Sequence, residues 1–188
     1  MKILLVYPQY PDTYWSFRHA MRFISKKAAV PPLGLITVSA MLPQTWQRKL
    51  IDMNVTKLLT KDILWADYVF ISAMYIQKES VAKVIEECVK HKVKIVAGGP
   101  LFTQEHGNYP QIEHFILNEA EITLSPFLKD LEMGRTPQKI YQTDSHADLS
   151  STPTPDYQLL SMKDYACMNL QVSRGCPFAC DFCEITTL

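Results

Sequence analysis

Cys176, Cys180 and Cys183 stand in the pattern C-x3-C-x2-C within the stretch RGCPFACDFC. Thiolates are soft ligands that select iron–sulfur clusters, zinc or copper(I). Electron-transfer cubanes ordinarily receive four cysteines, whereas this loop supplies three. A cluster held here keeps one iron open for another ligand, which makes it a reaction centre rather than only an electron carrier. A structural zinc wants a fourth ligand, from Cys167 or a histidine, and more usually shows paired C-x2-C units. A redox dithiol of Cys180 and Cys183 leaves Cys176 and its Gly–Cys–Pro setting without a role. Chance spacing of core cysteines fits poorly with so polar and turn-rich a stretch. The cluster is the reading carried forward.

The elements that must position this loop read as an α/β domain. Short apolar runs rich in β-formers alternate with helical segments, the pattern of a parallel sheet wrapped by helices. Strands are expected at Lys2–Pro8, Lys49–Asn54, Tyr68–Met74, Lys94–Pro100 and His114–Glu119, with an added edge strand at Lys139–Thr143. Tyr10–His19 reads as an irregular loop. Pro32–Leu42 reads as a helix with Pro32 in its first turn and Pro43 as its stop. Thr60 is expected to cap a short helix. Lys78–His91 places Val81, Val84, Ile85 and Cys88 on one face at i, i+3, i+4, i+7. Glu121–Gly134 reads as a helix in which Pro126 is tolerable only near the first turn. The whole predicts a doubly wound, Rossmann-like parallel sheet over residues 1–143. Residues 144–167 read as a linker, since DSHADLSSTPTPD is rich in Ser, Thr, Pro and Asp. Met168–Gly175 is expected to start a new domain, 168–188, as a strand leading into the cysteine loop.

The 188 residues include 19 Lys+Arg and 19 Asp+Glu, so the chain lacks the basic excess of a nucleic-acid binder. The uncharged stretch Ala28–Gln47 is interrupted by three prolines and several polar residues, so a buried helix fits better than a membrane span. MKILLVYP is too short an apolar run for a signal peptide, and an odd count of five cysteines argues against a secreted disulfide scaffold. A cytosolic location is expected. Cys88 reads as core, Cys167 as a packed free thiol, His19 as a surface loop histidine, and Trp15, Trp46 and Trp65 as core or crevice-wall residues.

CPFACDFC resembles the signature of the radical S-adenosylmethionine (SAM) enzymes, with Phe182 in the aromatic position. The resemblance implies that Cys176, Cys180 and Cys183 hold a 4Fe–4S cluster, that SAM chelates the open iron, and that Phe182 lies against the adenine. It further implies a 5′-deoxyadenosyl radical and an electron donor such as flavodoxin or ferredoxin. PPLGL (Pro31–Leu35), GGP (Gly98–Pro100) and NEAE (Asn118–Glu121) make the front region similar to cobalamin-binding radical SAM proteins. YWSF, KKAAVPPLGLITVSAMLP, WADYVFISAM and VAGGP resemble most the branch that includes hopanoid C-methylases. That likeness implies a cobalamin-dependent methyltransferase acting on an unactivated carbon of a small-molecule or lipid substrate, such as a hopanoid.

Doubly wound sheets bind ligands at the carboxyl ends of their strands. Pro8, Ser72, Tyr75, Gly98, Gly99, Pro100 and Glu119 stand at such ends and are the candidate cobalamin contacts. Gly98 and Gly99 would let a large planar ligand approach the backbone, or they merely turn the chain. Glu119 and Glu121 equally fit solvated first-turn carboxylates. The chain lacks D-x-H-x-x-G, the usual source of a lower axial histidine, and Asp12 and His19 are seven residues apart. The front domain could therefore hold a corrinoid without a histidine ligand, hold none and serve another radical reaction, or be a non-catalytic binding module. The resemblance also implies a partial barrel after the cysteine loop, so the chain is expected to be the N-terminal portion of a longer enzyme, inactive alone.

Overall fold

Lys2–Tyr7 (β1) is an apolar run with Ile3, Leu4, Leu5 and Val6 all fully buried, which requires helices on both faces of its sheet. The computed structural model, which describes residues 1–178 and 180, supplies them. The remaining strands are Gln47–Asp52 (β2), Tyr68–Ser72 (β3), Lys94–Gly98 (β4), His114–Ile116 (β5) and Ile140–Tyr141 (β6). All pair in parallel, in the order β2-β1-β3-β4-β5-β6. The chain moves outward from β1 to β2 and then crosses to β3 on the other side, so the order reverses between β1 and β3.

The helices are Arg18–Phe23 (α1), Leu33–Met41 (α2), Thr60–Trp65 (α3), Lys78–Lys90 (α4), Pro100–Glu105 (α5) and Ala120–Glu132 (α6). One core joins Ile63 of α3, Val81, Val84, Ile85 and Cys88 of α4, and Leu101 and Phe102 of α5 to one face of the sheet. On the opposite face Leu35 of α2 and Leu124 and Phe127 of α6 pack on Leu5, Phe70, Val96 and Ile116. Trp46 and Trp65 pack against these cores, one on each side.

Four local expectations are corrected. Thr60 is the first residue of α3 and not its cap; the Asp62 carboxylate accepts from the Leu59 N–H instead. Pro126 is the seventh residue of α6, where its missing N–H leaves the Ile122 carbonyl without a helical partner, on an exposed side. Met168–Gly175 forms no strand, because an alternating run becomes a strand only with a ladder partner; Leu170 and Val172 stay exposed. Cys167 is exposed rather than packed, with its backbone N–H donating to the Ala29 carbonyl. His19 stands on the surface as expected, 3.2 Å from Asp12, but in the first turn of α1 and not in a loop. Among the described residues no helix is long and apolar enough to cross a membrane.

The stretch read as a linker is fastened to the domain. The Asp156 N–H donates to the Ile36 carbonyl, and its carboxylate accepts from Ser39. Tyr165 reaches further in, donating to buried Asp52 at 3.0 Å, while Asp52 also accepts from the backbone and side chain of Asn54. Desolvation raises the Asp52 pKa despite these opposing hydrogen bonds. A raised carboxyl pKa means that the folded state binds the proton more tightly, so this contribution is full below the usual carboxylate range and is lost as pH rises through the folded pKa. The stability of the wild type relative to Asp52→Asn is therefore expected to fall as pH rises above ~4, measured by urea unfolding across pH. A flat difference would show that Asp52 titrates as in the unfolded chain.

Candidate functional site

The carboxyl ends of β3, β4 and β5 approach so closely that side chains are excluded between them. A Cβ on Gly98 would lie 2.6 Å from the Ile116 carbonyl oxygen. Gly99 has a φ of 88°, and a Cβ there would lie 2.8 Å from Ser72 Oγ and 3.1 Å from the Ala73 oxygen. Both glycines thus answer to the protein's own backbone, and Gly99 turns β4 into α5 with Pro100 at the first helical position. Gly98→Ala and Gly99→Ala are each expected to cost roughly 2–3 kcal/mol of stability, read from urea midpoints. Loss of less than half that would mean that the strand ends separate easily.

Beyond this tight seam a cavity of about 810 Å³ opens between α2, the ends of β3–β5 and the start of α6. That volume is in the range of small-molecule sites. Phe70, Val96, Ile116 and Leu124 give it an apolar floor, and Ser72, Thr103, Asn118, Glu119 and Glu121 a polar rim. Of the residues proposed from sequence, Ser72, Gly98, Gly99, Pro100, Glu119 and Cys176 all line this one cavity. Pro8 and Tyr75 do not. The Pro8 carbonyl is turned inward to accept from Asn54 and Gln77. Tyr75 sits in a 3-10 turn, half exposed, beneath the Lys78 ammonium 5.2 Å from its ring centroid. Cys180 is exposed. Phe182 and Cys183 lie outside the described residues.

The cavity also holds residues that the sequence reading missed. Gly34, in the first turn of α2, would place a Cβ in open space with nothing within 4 Å. The sequence signal for it is PPLGL (Pro31–Leu35), the run that carries part of the front region's resemblance to cobalamin-binding proteins. His146, Ala147 and Leu149 from the former linker close one side.

Glu119 and Glu121 are not solvated carboxylates. Arg174 donates to both, one nitrogen reaching Glu119 and the other Glu121, and Thr152 Oγ1 donates to Glu121 at 3.3 Å. Arg174 precedes Cys176 by two residues, so this fork fastens the cysteine loop to the cavity rim.

The thiols divide by environment. Burial pushes the Cys88 pKa up to about 12, whereas Cys167, Cys176 and Cys180 are exposed. Alkylation of the folded chain by iodoacetamide is expected to label these three and spare Cys88 until denaturant is added. Early labelling of Cys88, read by peptide mass, would contradict the packing of α4.

The chain matches no family model. It is 40% identical over its whole length to an uncharacterised methyltransferase of Synechocystis sp., of which it covers 35%. It is 29% identical over its whole length to the hopanoid C-2 methylase of Rhodopseudomonas palustris, of which it covers 36%. Over 82% of its length it is 30% identical to an uncharacterised methyltransferase of Pyrococcus horikoshii, of which it covers 40%. The chain therefore spans little more than a third of the length of the curated relatives it matches, and across that span its homologues are proteins named methyltransferases.

Proposed function

We propose that this chain is the corrinoid-binding and cluster-carrying part of a radical SAM methyltransferase acting on an unactivated carbon of a polycyclic lipid. The observation that carries the reading is the meeting of Cys176 with Ser72, Gly99 and Glu119 around one cavity. The similarity of the chain's whole length to 36% of a protein named hopanoid C-2 methylase supports the reaction class and suggests a hopanoid-like substrate.

The residues present fit the groups implied. A corrinoid is broad and flat, with polar amides around an apolar plane. The cavity has an apolar floor, a polar rim and, at Gly34, a helix turn with no side chain in the way. Cys176 and Cys180 are free, exposed thiols of the kind that soft metal centres select. When bound, the corrinoid supplies a methyl group and the 4Fe–4S cluster an electron for SAM cleavage. The chain's own part is binding and placement. Cys176, Cys180 and Cys183 would hold the cluster and leave one iron for SAM, with Phe182 against the adenine. Arg174 sets the loop against the rim, and the close seam at Gly98 and Gly99 forms part of the cavity wall. A flavodoxin- or ferredoxin-like donor would deliver the electron.

The lack of D-x-H-x-x-G favours a second reading, in which the front domain holds no corrinoid and the radical serves oxidation, rearrangement or sulfur insertion. Anaerobic titration of this chain with hydroxocobalamin separates the two. Stoichiometric retention with a perturbed spectrum supports the first. No retention after cluster reconstitution moves the weight to the second. On a chain carried to the relatives' length, S-adenosylhomocysteine together with 5′-deoxyadenosine marks methyl transfer; 5′-deoxyadenosine alone marks the second reading.

A further inference from the structure

The segment after β1 is unlike the rest of the surface. Between Asp12 and Asp52 the chain has no acidic residue, while Arg18, Arg22, Lys26 and Lys27 fall within ten positions of one another. Interleaved with these cations are exposed apolar side chains: Tyr14 is 83% and Phe23 91% exposed, and Phe17, Ile24 and Val30 are about half exposed. Helix α1 buries none of its side chains. Single exposed apolar residues need no explanation, but five within residues 14–30 do.

The segment is nevertheless built to hold a shape. Phe17 and Ser25, with φ of 51° and 55°, bracket α1 in the left-handed region that ordinary side chains avoid. Its base is fastened: the Lys27 and Ala28 N–H groups both donate to the Asp164 carbonyl, and Lys26 Nζ donates to the Lys163 carbonyl at 2.9 Å. Of the cations, Arg18 shares Asp12 with His19, and Lys27 pairs with Asp164. Arg22 has no ion pair among the described residues. A short helix that mixes exposed aromatic side chains with four cations against two carboxylates, Asp12 and Asp164, complements a surface that is anionic outside and apolar beneath. A protein partner would ask for a groove or a ridge; this segment offers points of insertion ringed by positive charge.

We propose that residues 14–30 are a docking surface for an anionic lipid bilayer. Exposed aromatic and aliphatic side chains enter the boundary between headgroups and acyl chains, and Arg18, Arg22, Lys26 and Lys27 lie at the phosphates, their stems along the apolar layer. One short helix gives weak, reversible binding, which suits an enzyme that visits a membrane to meet a lipid substrate. The inference goes beyond the corrinoid reading and does not depend on it, since vesicle binding needs no cofactor and corrinoid retention needs no lipid.

The test is co-sedimentation of the chain with vesicles of mixed phosphatidylglycerol and phosphatidylcholine, and with vesicles of phosphatidylcholine alone. The expected result is binding to the anionic vesicles only, weakened by salt. Arg22→Gln is expected to weaken it about fivefold, and Phe23→Ser roughly tenfold, with the melting temperature unchanged because both side chains are exposed. No binding to either vesicle overturns the proposal, as does equal binding to both or indifference to the two substitutions. Sedimentation velocity adds one further outcome. A dimer dissolved by Phe23→Ser would give this face to a second copy of the chain and also overturn it.

Discussion

Gly34→Trp is expected to weaken hydroxocobalamin retention by a factor on the order of 100 or more while leaving the fold intact. Gly34 sits in the first turn of α2 and lines the cavity, with no atom near the place of its missing Cβ. A side chain there starts from the open cavity, so an indole is expected to take space that the ligand needs, and a rigid macrocycle cannot fold around it. Gly34→Ala separates the two effects. Alanine favours the helix by up to about 1 kcal/mol, so the melting temperature should rise slightly while retention changes little. Retention unaltered in Gly34→Trp would place the corrinoid elsewhere or remove it from the account. A collapse of the fold in Gly34→Ala would mean that the turn is not as open as its surroundings indicate.

The contrast among the glycines also marks how far the sequence could be read. Gly98, Gly99 and Gly34 are alike as letters. Two of them serve close approach of backbone to backbone, and the third serves open space. Only neighbours distant in the chain decide which: Ile116 for Gly98, Ser72 for Gly99, and the absence of any contact for Gly34. Strands β1, β3 and β4 are legible because burial on both faces makes the centre of each an apolar run. Helix α4 was legible because one buried face imposes its own period, and Val81, Val84, Ile85 and Cys88 are all buried. Helix α1 escaped notice for the converse reason, having no buried face to impose a period. Pro8 and Tyr75 were placed at strand ends correctly, yet position along a strand does not say whether a group faces the crevice. Cys167 and Met168–Gly175 are read from local apolar character, yet the apolar side chains there, Met168, Leu170 and Val172, stay exposed, and the segment is held through polar groups at Asn169 and Arg174.

Arg174→Glu is expected to release the cysteine loop from the cavity. The guanidinium joins Glu119 and Glu121, which are 13% and 10% exposed in their side chains and 55 and 53 residues away in sequence. Removing it leaves two largely desolvated carboxylates side by side, and reversal adds a third. Breaking a buried pair in this way costs about 3–5 kcal/mol; with Arg174 itself 28% exposed, solvent screening reduces this to on the order of 1–2 kcal/mol. The loop offers little else to hold it, since Val172 is 90% and Phe178 70% exposed. The readout is iodoacetamide labelling in the presence of hydroxocobalamin. In the wild type a ligand filling the cavity should slow labelling of Cys176, which lines it, roughly tenfold, as blocking worth 1.4 kcal/mol would. Cys180 should be slowed less. In Arg174→Glu the two thiols should react alike, with or without the ligand. Arg174→Lys should recover part of the protection, because an ammonium restores the charge but cannot form the two-pronged contact. Undiminished protection of Cys176 in Arg174→Glu would mean that the loop finds the cavity without the clamp, and the pairing with Glu119 and Glu121 would then be only a surface ion pair.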